Sequence, residues 1–300
     1  MNRGQLLGLP LLLAAALPCE SVLAHQPVMD MAPRWNGGYG VQIRYESYGS
    51  GKLLNGSNEV ANLNRLERHV NKTWLEGIYT FDPSQRITFK LPYVDQRRTT
   101  LVDGQPVSQS ASGWGDLILA MPLKRYTNKG ANTSNWGITP QIRLPTGSSS
   151  GDFAISDGSV DLGLSVSYSA EGFPLGKDKP SIYQLYDLFY WHNREGSNGM
   201  EEGDVIGLDI NVGLHPIHSN DTNSGMYVMW DVSARHTQAP NELTRTTASG
   251  GKRLHSGPVL VLYRGNMMFR AEYKLALYEK VDGLSLSRGD ELNVGIGWTF

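Results

Sequence analysis

Residues 288–300 read RGDELNVGIGWTF, and apolar and polar residues alternate along this stretch. Successive side chains of a β-strand point to opposite faces, so the alternation predicts a strand with one apolar and one polar face. The apolar face carries Leu292, Val294, Ile296, Trp298 and Phe300. The opposite face carries Glu291, Asn293, Gly295, Gly297 and Thr299. The fold then depends on whether the rest of the chain repeats this amphipathic strand.

The same period of two recurs from Trp35 onward, and no segment has a convincing helical period. Twelve strands are predicted, at residues 35–48, 69–81, 85–98, 113–126, 134–145, 158–170, 181–192, 202–215, 224–237, 255–264, 267–278 and 288–300. Their lengths exceed the ~5–6 residues of most soluble strands and suit a tilted membrane span of about 9–11 residues plus its rims. The sequence therefore predicts an all-β fold, a transmembrane antiparallel β-barrel of the outer-membrane type with about 12 strands.

The connections between the predicted strands alternate in length. Long connections are expected on the outer side, at residues 49–68, 99–112, 146–157, 193–201, 238–254 and 279–287. Those on the periplasmic side are mostly shorter, with Asp82-Pro83-Ser84 and Gly265-Asn266 the tightest, although residues 171–179 break the trend. An even strand number and alternating connections are typical of bacterial single-chain barrels. A soluble periplasmic β-sandwich is the alternative fold.

Composition agrees with a turn-rich β protein. The 300 residues include 34 glycines and 14 tyrosines, and 27 basic against 29 acidic side chains give a net charge of -2. A charge so close to zero gives no indication of a nucleic-acid partner, and outer-membrane lipids are the expected surroundings. After residue 20, no run approaches the roughly 18 consecutive apolar residues of a membrane-spanning helix.

Residues 1–24 have the features of a secretory signal peptide. Arg3 supplies a positive charge, residues 6–17 form an apolar run, and Val22-Leu23-Ala24 provides residues acceptable to a signal peptidase. We expect cleavage after Ala24 and a location in the bacterial outer membrane. The only cysteine, Cys19, would leave with the signal, so no disulfide is expected in the mature chain.

The expected mature chain has a periplasmic leader over residues 25–34 and the barrel over residues 35–300. Imidazole and thioether groups that suit copper occur in the leader and in a predicted periplasmic turn. These candidate metal ligands are His25, Met29, Met31, His215 and His218. The other interpretation is a leader or small plug without metal, beside a solvated turn.

The two-residue turn Gly265-Asn266 fixes the register of the hairpin around it. With that pairing, Arg270, Glu272 and Lys274 occupy alternate mid-strand positions opposite the apolar face. A charge at the bilayer midplane would cost about 2–4 kcal/mol, so these side chains are predicted to face the lumen. The same parity gives the predicted lumen-lining residues Arg44, Glu46, Asp116, Arg143, Asp161, Asp209, Asp231, Arg235, Arg270, Glu272 and Lys274, together with Glu76, Lys90 and Lys124.

Aromatic residues are expected where the strands meet the lipid headgroups. Those predicted near periplasmic strand ends are Trp35, Phe81, Tyr126, Trp136, Tyr168, Tyr263, Trp298 and Phe300. Those predicted near outer ends are Trp74, Tyr93, Trp114, Trp191 and Tyr278. Asp187 conflicts with this pattern because it shares parity with apolar and aromatic residues of its strand. Either it is buried against a partner or a β-bulge shifts the register.

Residues 113–170 contain motifs that resemble a known family. These are Gly113-Trp114-Gly115-Asp116, Leu144-Pro145-Thr146-Gly147, and Asp157-Gly158-Ser159 followed by Asp161-Leu162-Gly163. Their order and spacing resemble the outer-membrane, porin-like transporter family associated with the meta-cleavage pathway of phenol degradation. The resemblance implies a transporter of small, often hydrophobic compounds without catalytic residues. Read from the residues alone, the motifs indicate strand ends and turns.

The C-terminal strand also resembles the final strand of bacterial outer-membrane barrels. In that class the terminal aromatic residue is the assembly signal, which implies that Phe300 is recognised by the barrel assembly machinery.

No enzyme is predicted, and neither a catalytic residue nor a cofactor is assigned. An outer-membrane hydrolase would need Ser, His and an acid together on one barrel wall, and the pairs His255-Ser256 and His218-Ser219 lack a clear acid. Two functions are left. The first is a channel or transporter for passive passage of small solutes, plausibly aromatic or hydrophobic compounds. The second is a closed binding or structural barrel that acts through its outer loops or a periplasmic metal site.

Overall fold

The computed structural model describes residues 35–129, 132–148, 154–176, 179–197, 199, 201–219, 221–240 and 250–300. The strands are β1 Gly38–Ser50, β2 Leu53–Asn55, β3 Asn58–Val60, β4 Glu67–Asp82, β5 Gln85–Val102, β6 Gln105–Trp114, β7 Leu117–Ala120, β8 Leu123–Lys129, β9 Asn132–Leu144, β10 Asp161–Gly172, β11 Ser181–His192, β12 Val205–Ser219, β13 Ser224–Thr237, β14 Gly251–Arg264, β15 Met267–Val281, β16 Leu284–Leu286 and β17 Glu291–Thr299. In these ranges, no helix is long and apolar enough to cross a membrane. The predicted signal peptide and leader, with His25, Met29 and Met31, lie outside the described residues.

The strands form one antiparallel sheet that closes on itself. From β9 to β15 each strand pairs with the next, β15 pairs with β17, β17 with β1, β1 with β4 and β4 with β5. β6, β7 and β8 are consecutive segments between β5 and β9 and together take one position in the wall. The prediction of a 12-stranded antiparallel barrel is confirmed.

The C-terminal strand closes the barrel. β17 pairs with β1 from Gly40↔Thr299 to Tyr48↔Glu291, and with β15 along its other edge. Both of its edges are hydrogen-bonded, so this strand leaves no open edge for association with other chains. As predicted, Ile296 is exposed on one face while Asn293 is buried on the other.

The barrel is apolar outside and polar inside. Along β10, Leu162 and Leu164 are 50% and 47% exposed, whereas Asp161 is fully buried and Ser165 is nearly so. A soluble β-sandwich would bury its apolar faces, which excludes the alternative fold. An apolar outer surface is instead the arrangement that bilayer hydrocarbon requires of a transmembrane barrel.

The largest difference from the predicted boundaries lies between β5 and β6. The sequence pattern placed a loop at residues 99–112, but both strands extend outward and leave only Asp103 and Gly104 as a turn. Their φ angles of 51° and 76° are the left-handed values that a two-residue hairpin turn requires. The Asp-Gly dipeptide is typical of two-residue hairpin turns, so the position of this turn could have been predicted from the sequence.

β7 and β8 are separate because Pro122 has no N–H to donate to the sheet. The wall nevertheless stays connected at this point. Arg86 donates its backbone N–H to the Pro122 carbonyl at 3.1 Å, and Met121 donates to the Pro140 carbonyl at 3.0 Å.

Two of the predicted outer loops are structured and joined to each other. β2, β3 and β16 form a three-stranded antiparallel sheet, in which Leu284 pairs with Asn55 and Leu53 with Val60. This small sheet fixes the outer ends of β1 and β15 relative to one another, and it contributes to the wall of the outer cavity described below.

Candidate functional site: the lumen and its outer cavity

Most predicted lumen-lining charges are brought together in ion pairs. The pairs are Arg44–Glu76 at 3.0 Å, Arg143–Asp161 at 3.1 Å, Arg235–Asp209 at 2.7 Å, Arg270–Glu272 at 3.2 Å, Lys274–Asp231 at 2.8 Å and Arg288–Glu46 at 3.0 Å. Arg288 was not among the predicted lumen-lining residues, although the predicted strand 288–300 includes it; β17 begins only at Glu291, so Arg288 lies in the loop before it. Opposite charges thus compensate each other along the inner wall.

The most buried of these pairs surround Lys274. Its Nζ lies 2.8 Å from Asp231 Oδ1 and 3.3 Å from Glu272 Oε1, and it donates to Ser233 Oγ at 2.7 Å. Asp231 also accepts a hydrogen bond from Asn211 Nδ2 at 2.8 Å. Asp231 is buried and Lys274 is its only ion-pair partner among the described residues, so removing the lysine would leave this carboxylate uncompensated in a poorly solvated place, whereas Glu272 would keep Arg270.

Asp116 has a different role from the other predicted charges, because it joins the family motifs. Its carboxylate accepts hydrogen bonds from the Gly147 N–H at 2.9 Å and from Ser156 Oγ at 2.8 Å. Thr146 Oγ1 donates to the Gly115 carbonyl at 3.1 Å, so the three motifs meet at the outer end of this wall. A Cβ on Gly147 would lie 3.0 Å from Gly115 Cα, which explains the glycine. The motifs hold loops together, as the residue-based interpretation expected.

Asp187 belongs to a row of alternate residues on β11 that runs from Tyr183 to Trp191. The side chains of this whole row face the lumen. No register shift occurs between β11 and either neighbour. Two cations of the inner wall lie over its rings: Arg235 Cζ is 4.5 Å from the centroid of Phe189, and Arg143 Cζ is 4.9 Å from that of Trp191. The inner wall therefore combines aromatic faces with guanidinium groups, a pairing that is attractive in its own right.

Two glycines lie beneath these rings. Gly163 pairs with Trp191 across β10 and β11, and Gly207 pairs with Phe189 across β11 and β12. A Cβ on Gly163 would lie 2.9 Å from three ring carbons of Trp191, and one on Gly207 would overlap Phe189. The missing side chains let both rings lie flat against the wall, which keeps them out of the centre of the lumen.

Four aromatic residues assigned to the headgroup regions face the interior instead. Trp74 donates its indole N–H to Glu46 Oε2 at 3.0 Å and lies 5.1 Å from Arg44 Cζ. Trp191 lies under Arg143, Tyr126 accepts a hydrogen bond from Arg86, and Tyr263 contacts His215. Parity could have corrected the first assignment, since Trp74 lies two residues from Glu76, which was itself predicted to face inward.

A cavity of about 790 Å³ lies at the outer end of the lumen. Its basic lining residues are Arg68, Lys72, Arg98, Arg253, Lys280 and Arg288, and its acidic ones are Glu202 and Glu279. The excess of cations contrasts with the balanced pairs deeper in the barrel. Sequence reasoning did not identify this cavity, because the outer loops and the ends of seven barrel strands that form it are far apart in the chain.

Asp204 stabilises one side of this cavity, between the lining residues Gly203 and Val205. Its carboxylate accepts hydrogen bonds from the Tyr190 hydroxyl and from the Asn193 N–H at 3.0 Å, and lies 3.1 Å from His192 Nδ1. Partial burial opposes ionisation of Asp204, but these hydrogen bonds outweigh it and hold the pKa of the carboxyl below its usual value.

The periplasmic part of the inner wall is apolar and closely packed. Tyr183, Tyr227, Met229, Val259, Val261 and Met268 form a buried cluster on β11, β13, β14 and β15. Next to it, Glu171 Oε1 lies 2.9 Å from His215 Nδ1, and the Tyr263 hydroxyl lies 3.0 Å from His215 Nε2. Both Glu171 and His215 are fully buried.

The periplasmic turn predicted around His215 and His218 is wrong, because β12 continues to Ser219 after a register shift between Leu214 and Ile217. The two imidazole rings are 4.9 Å apart, but both nitrogens of His215 already contact protein groups. Among the described residues, no group of three or more His, Cys, Asp or Glu could hold a metal ion. The remaining predicted ligands, His25, Met29 and Met31, lie outside the described residues.

The His and Ser side chains considered as candidates for a hydrolytic site form hydrogen bonds with backbone groups. His255 Nε2 lies 3.0 Å from the Gly289 carbonyl, and Ser256 Oγ donates to the Asp231 carbonyl at 2.8 Å. His255 and Ser256 are therefore not arranged as a general base and the nucleophile that it would activate.

The sequence matches a family model over residues 49–251, for the family described as "Putative MetA-pathway of phenol degradation". No curated protein matches it. Among solved structures, an outer-membrane channel from Pseudomonas putida F1 has a TM-score of 0.64 at 14% identity, covering 92% of this chain and 100% of that one. The β domain of the Bordetella autotransporter BrkA has a TM-score of 0.45 at 10% identity, covering 88% of this chain and 100% of that one. The first of these likenesses shows an outer-membrane barrel fold.

Proposed function

Because the chain belongs to the family just described, whose name refers to phenol degradation, we propose that it is an outer-membrane channel for the passive passage of small aromatic or otherwise hydrophobic solutes. The observation that carries this proposal is the aromatic row of β11 on the inner wall. Phe189 and Trp191 lie flat over glycines, with a guanidinium over each ring. A guanidinium already covers one face of each ring, so an aromatic solute can pack against the ring edges and stack on the planar guanidinium groups.

The paired charges of the lumen support the same function. Because most opposite charges compensate each other along the wall, a passing solute meets few isolated charges that would retain or exclude it. A 12-stranded barrel is also narrower than the 16- to 18-stranded porins that contain a broad aqueous channel. Passage would therefore favour small, flat solutes over bulky ones.

Reconstitution tests the proposal. Mature protein in planar bilayers should give single-channel conductance, and proteoliposomes should take up phenol or toluene faster than empty liposomes. Trp191→Ala should alter uptake, because it removes a lumen-facing ring. Leu188→Ala provides the matched control, since this residue of the same strand is 50% exposed on the outer face. Equal uptake with and without the protein would contradict the channel function.

A closed binding barrel is the second candidate, and the buried apolar cluster at the periplasmic side favours it. Six side chains of this cluster are at most 5% exposed, so this part of the wall offers no free surface for a passing solute. A protein that binds aromatic solutes but never conducts would support this second function over the first.

We also propose that assembly into the outer membrane depends on Phe300. The residue is 53% exposed and stacks on Tyr39 with ring centroids 5.1 Å apart, while its N–H donates to the Tyr39 carbonyl at 2.7 Å. The exposed ring would be available to the assembly machinery before β1 pairs with β17. Phe300→Ala should lower the amount of folded protein in the outer membrane, and unchanged insertion would contradict the proposal.

A further inference from the structure

Four cations of the outer cavity differ from the paired cations of the lumen. No carboxylate in the described part of the chain forms an ion pair with Arg68, Lys72, Arg98 or Arg253. All four line the cavity, beside Arg288, which is already paired with Glu46 and Glu291. The cavity therefore concentrates positive charge where loops enclose it, and such a field attracts anions.

Arg68 and Arg98 are placed directly opposite each other on β4 and β5. Both share the inward-facing parity of buried neighbours, Val70 and Gln96. Like charges at opposed positions destabilise a sheet, so this pair costs stability unless an anion lies between the two guanidinium groups. Arg68 donates to Gln96 Oε1 at 3.3 Å, but its buried Nε has no hydrogen-bond partner within the described ranges.

The rest of the lining suits an apolar body attached to the anion. The Tyr48 ring lies in the cavity, with Arg288 Cζ 3.5 Å and Lys72 Nζ 5.8 Å from its centroid. Leucines contribute the apolar surface, at positions Leu53, Leu63, Leu66, Leu284 and Leu286. A volume of about 790 Å³ lies within the range of small-molecule sites, so the cavity has room for a ring compound.

We propose that the outer cavity is a binding site for monocarboxylates with an aromatic or other apolar body. The carboxylate would bind Arg68 and Arg98, whose planar guanidinium groups match its geometry, while Lys72 and Arg253 add to the attraction. The inference rests on the proposed channel function and deepens it, because it names the class of solute that is captured at the outer entrance.

Titration calorimetry with benzoate and benzamide tests the site, because these two probes have nearly the same shape and differ in charge. Full mature protein in a non-ionic detergent should bind benzoate at least about tenfold more tightly than benzamide, given the greater strength of charge-assisted hydrogen bonds. Arg68→Gln combined with Arg98→Gln should weaken benzoate binding by a similar factor and leave benzamide binding unchanged. The single variant Arg98→Gln should show part of the loss.

Arg97→Gln is the matched control. Arg97 precedes Arg98 on β5 but is exposed on the outer face, so its removal should leave benzoate affinity unchanged. Equal affinity for the two probes, or full benzoate affinity in the double variant, would overturn the proposal.

Conductance of the same preparations distinguishes the binding site from the proposed channel function. Arginine-dependent binding without conductance would support the binding site and contradict the channel function. Conductance without arginine-dependent binding would contradict the binding site and support the channel function.

Discussion

The lumen and the outer cavity contain the same kinds of cation in opposite electrostatic surroundings. Lys274 lies within 3.3 Å of two buried carboxylates, whereas Arg98 faces another arginine across a strand pair. Compensated charges lie within the wall and belong to its structure. Uncompensated charges cost stability, and a ligand of opposite charge can offset that cost. Pairing thus separates the residues that hold the barrel together from those available for a solute.

The largest expected effect follows from breaking a buried pair. Lys274→Gln leaves the buried Asp231 carboxylate without its cation, while Glu272 keeps Arg270, and we expect the free energy of unfolding in urea to fall by about 3 kcal/mol. Arg98→Gln should be neutral or slightly stabilising, because it relieves the repulsion with Arg68. If both variants lost the same stability, the distinction between paired and unpaired cations would have no energetic basis.

The next largest effect is expected from substituting a glycine that lies beneath a lumen-facing aromatic ring. Gly207→Ala forces Phe189 away from the wall toward the centre of the lumen, which should cost about 1–3 kcal/mol of stability and reduce single-channel conductance. Gly77→Ala is the control, because Gly77 lies under Phe89, and that ring is exposed on the outer face. A similar stability loss with unchanged conductance is expected there. Reduced conductance in both variants would contradict a role for ring position in the lumen.

Ion selectivity gives a moderate effect. Arg270→Gln together with Lys274→Gln removes two positive charges from the lumen while Glu272 and Asp231 stay, so the reversal potential in a salt gradient should shift toward cations. Both cations belong to buried ion pairs, so the measurement has to be made on protein whose gel mobility confirms the folded barrel. An unchanged reversal potential would place the ion pathway elsewhere.

The strands were predictable because each one is decided by neighbours in the sequence. Alternation along residues such as Leu162 to Val166 marks a lipid-facing row whatever the rest of the chain does. Asp187 shows the limit of that reasoning, because the sequence left its register open. Its row faces inward with aromatic residues on both sides, and only the pairing of β11 with β10 and β12 decides this.

The outer cavity and the buried histidine were beyond prediction for a different reason. Arg68 and Arg98 become neighbours through strand register, and Arg253 joins them only when the barrel closes. His215 and His218 were assigned to a periplasmic turn, but a bulge between Leu214 and Ile217 lets β12 continue through both of them. Both features depend on contacts between residues distant in sequence, which local patterns do not record.

The smallest expected effect concerns pH and the Asp204 side of the outer cavity. The folded pKa of Asp204 lies below that of the unfolded chain, near 3.9, so its stabilising effect is present above that value and is lost as the pH falls through the folded pKa. Between pH 5 and pH 3 the wild-type barrel should lose slightly more unfolding free energy than Asp204→Asn, which cannot titrate. The difference should be less than about 1 kcal/mol, because solvent screens a group at the rim. Tyr190→Phe, which removes one donor to Asp204, should give an intermediate value. If the variant lost more stability than the wild type over this interval, the hydrogen bonds around Asp204 would not favour its charged form, and this side of the cavity would be held by other contacts.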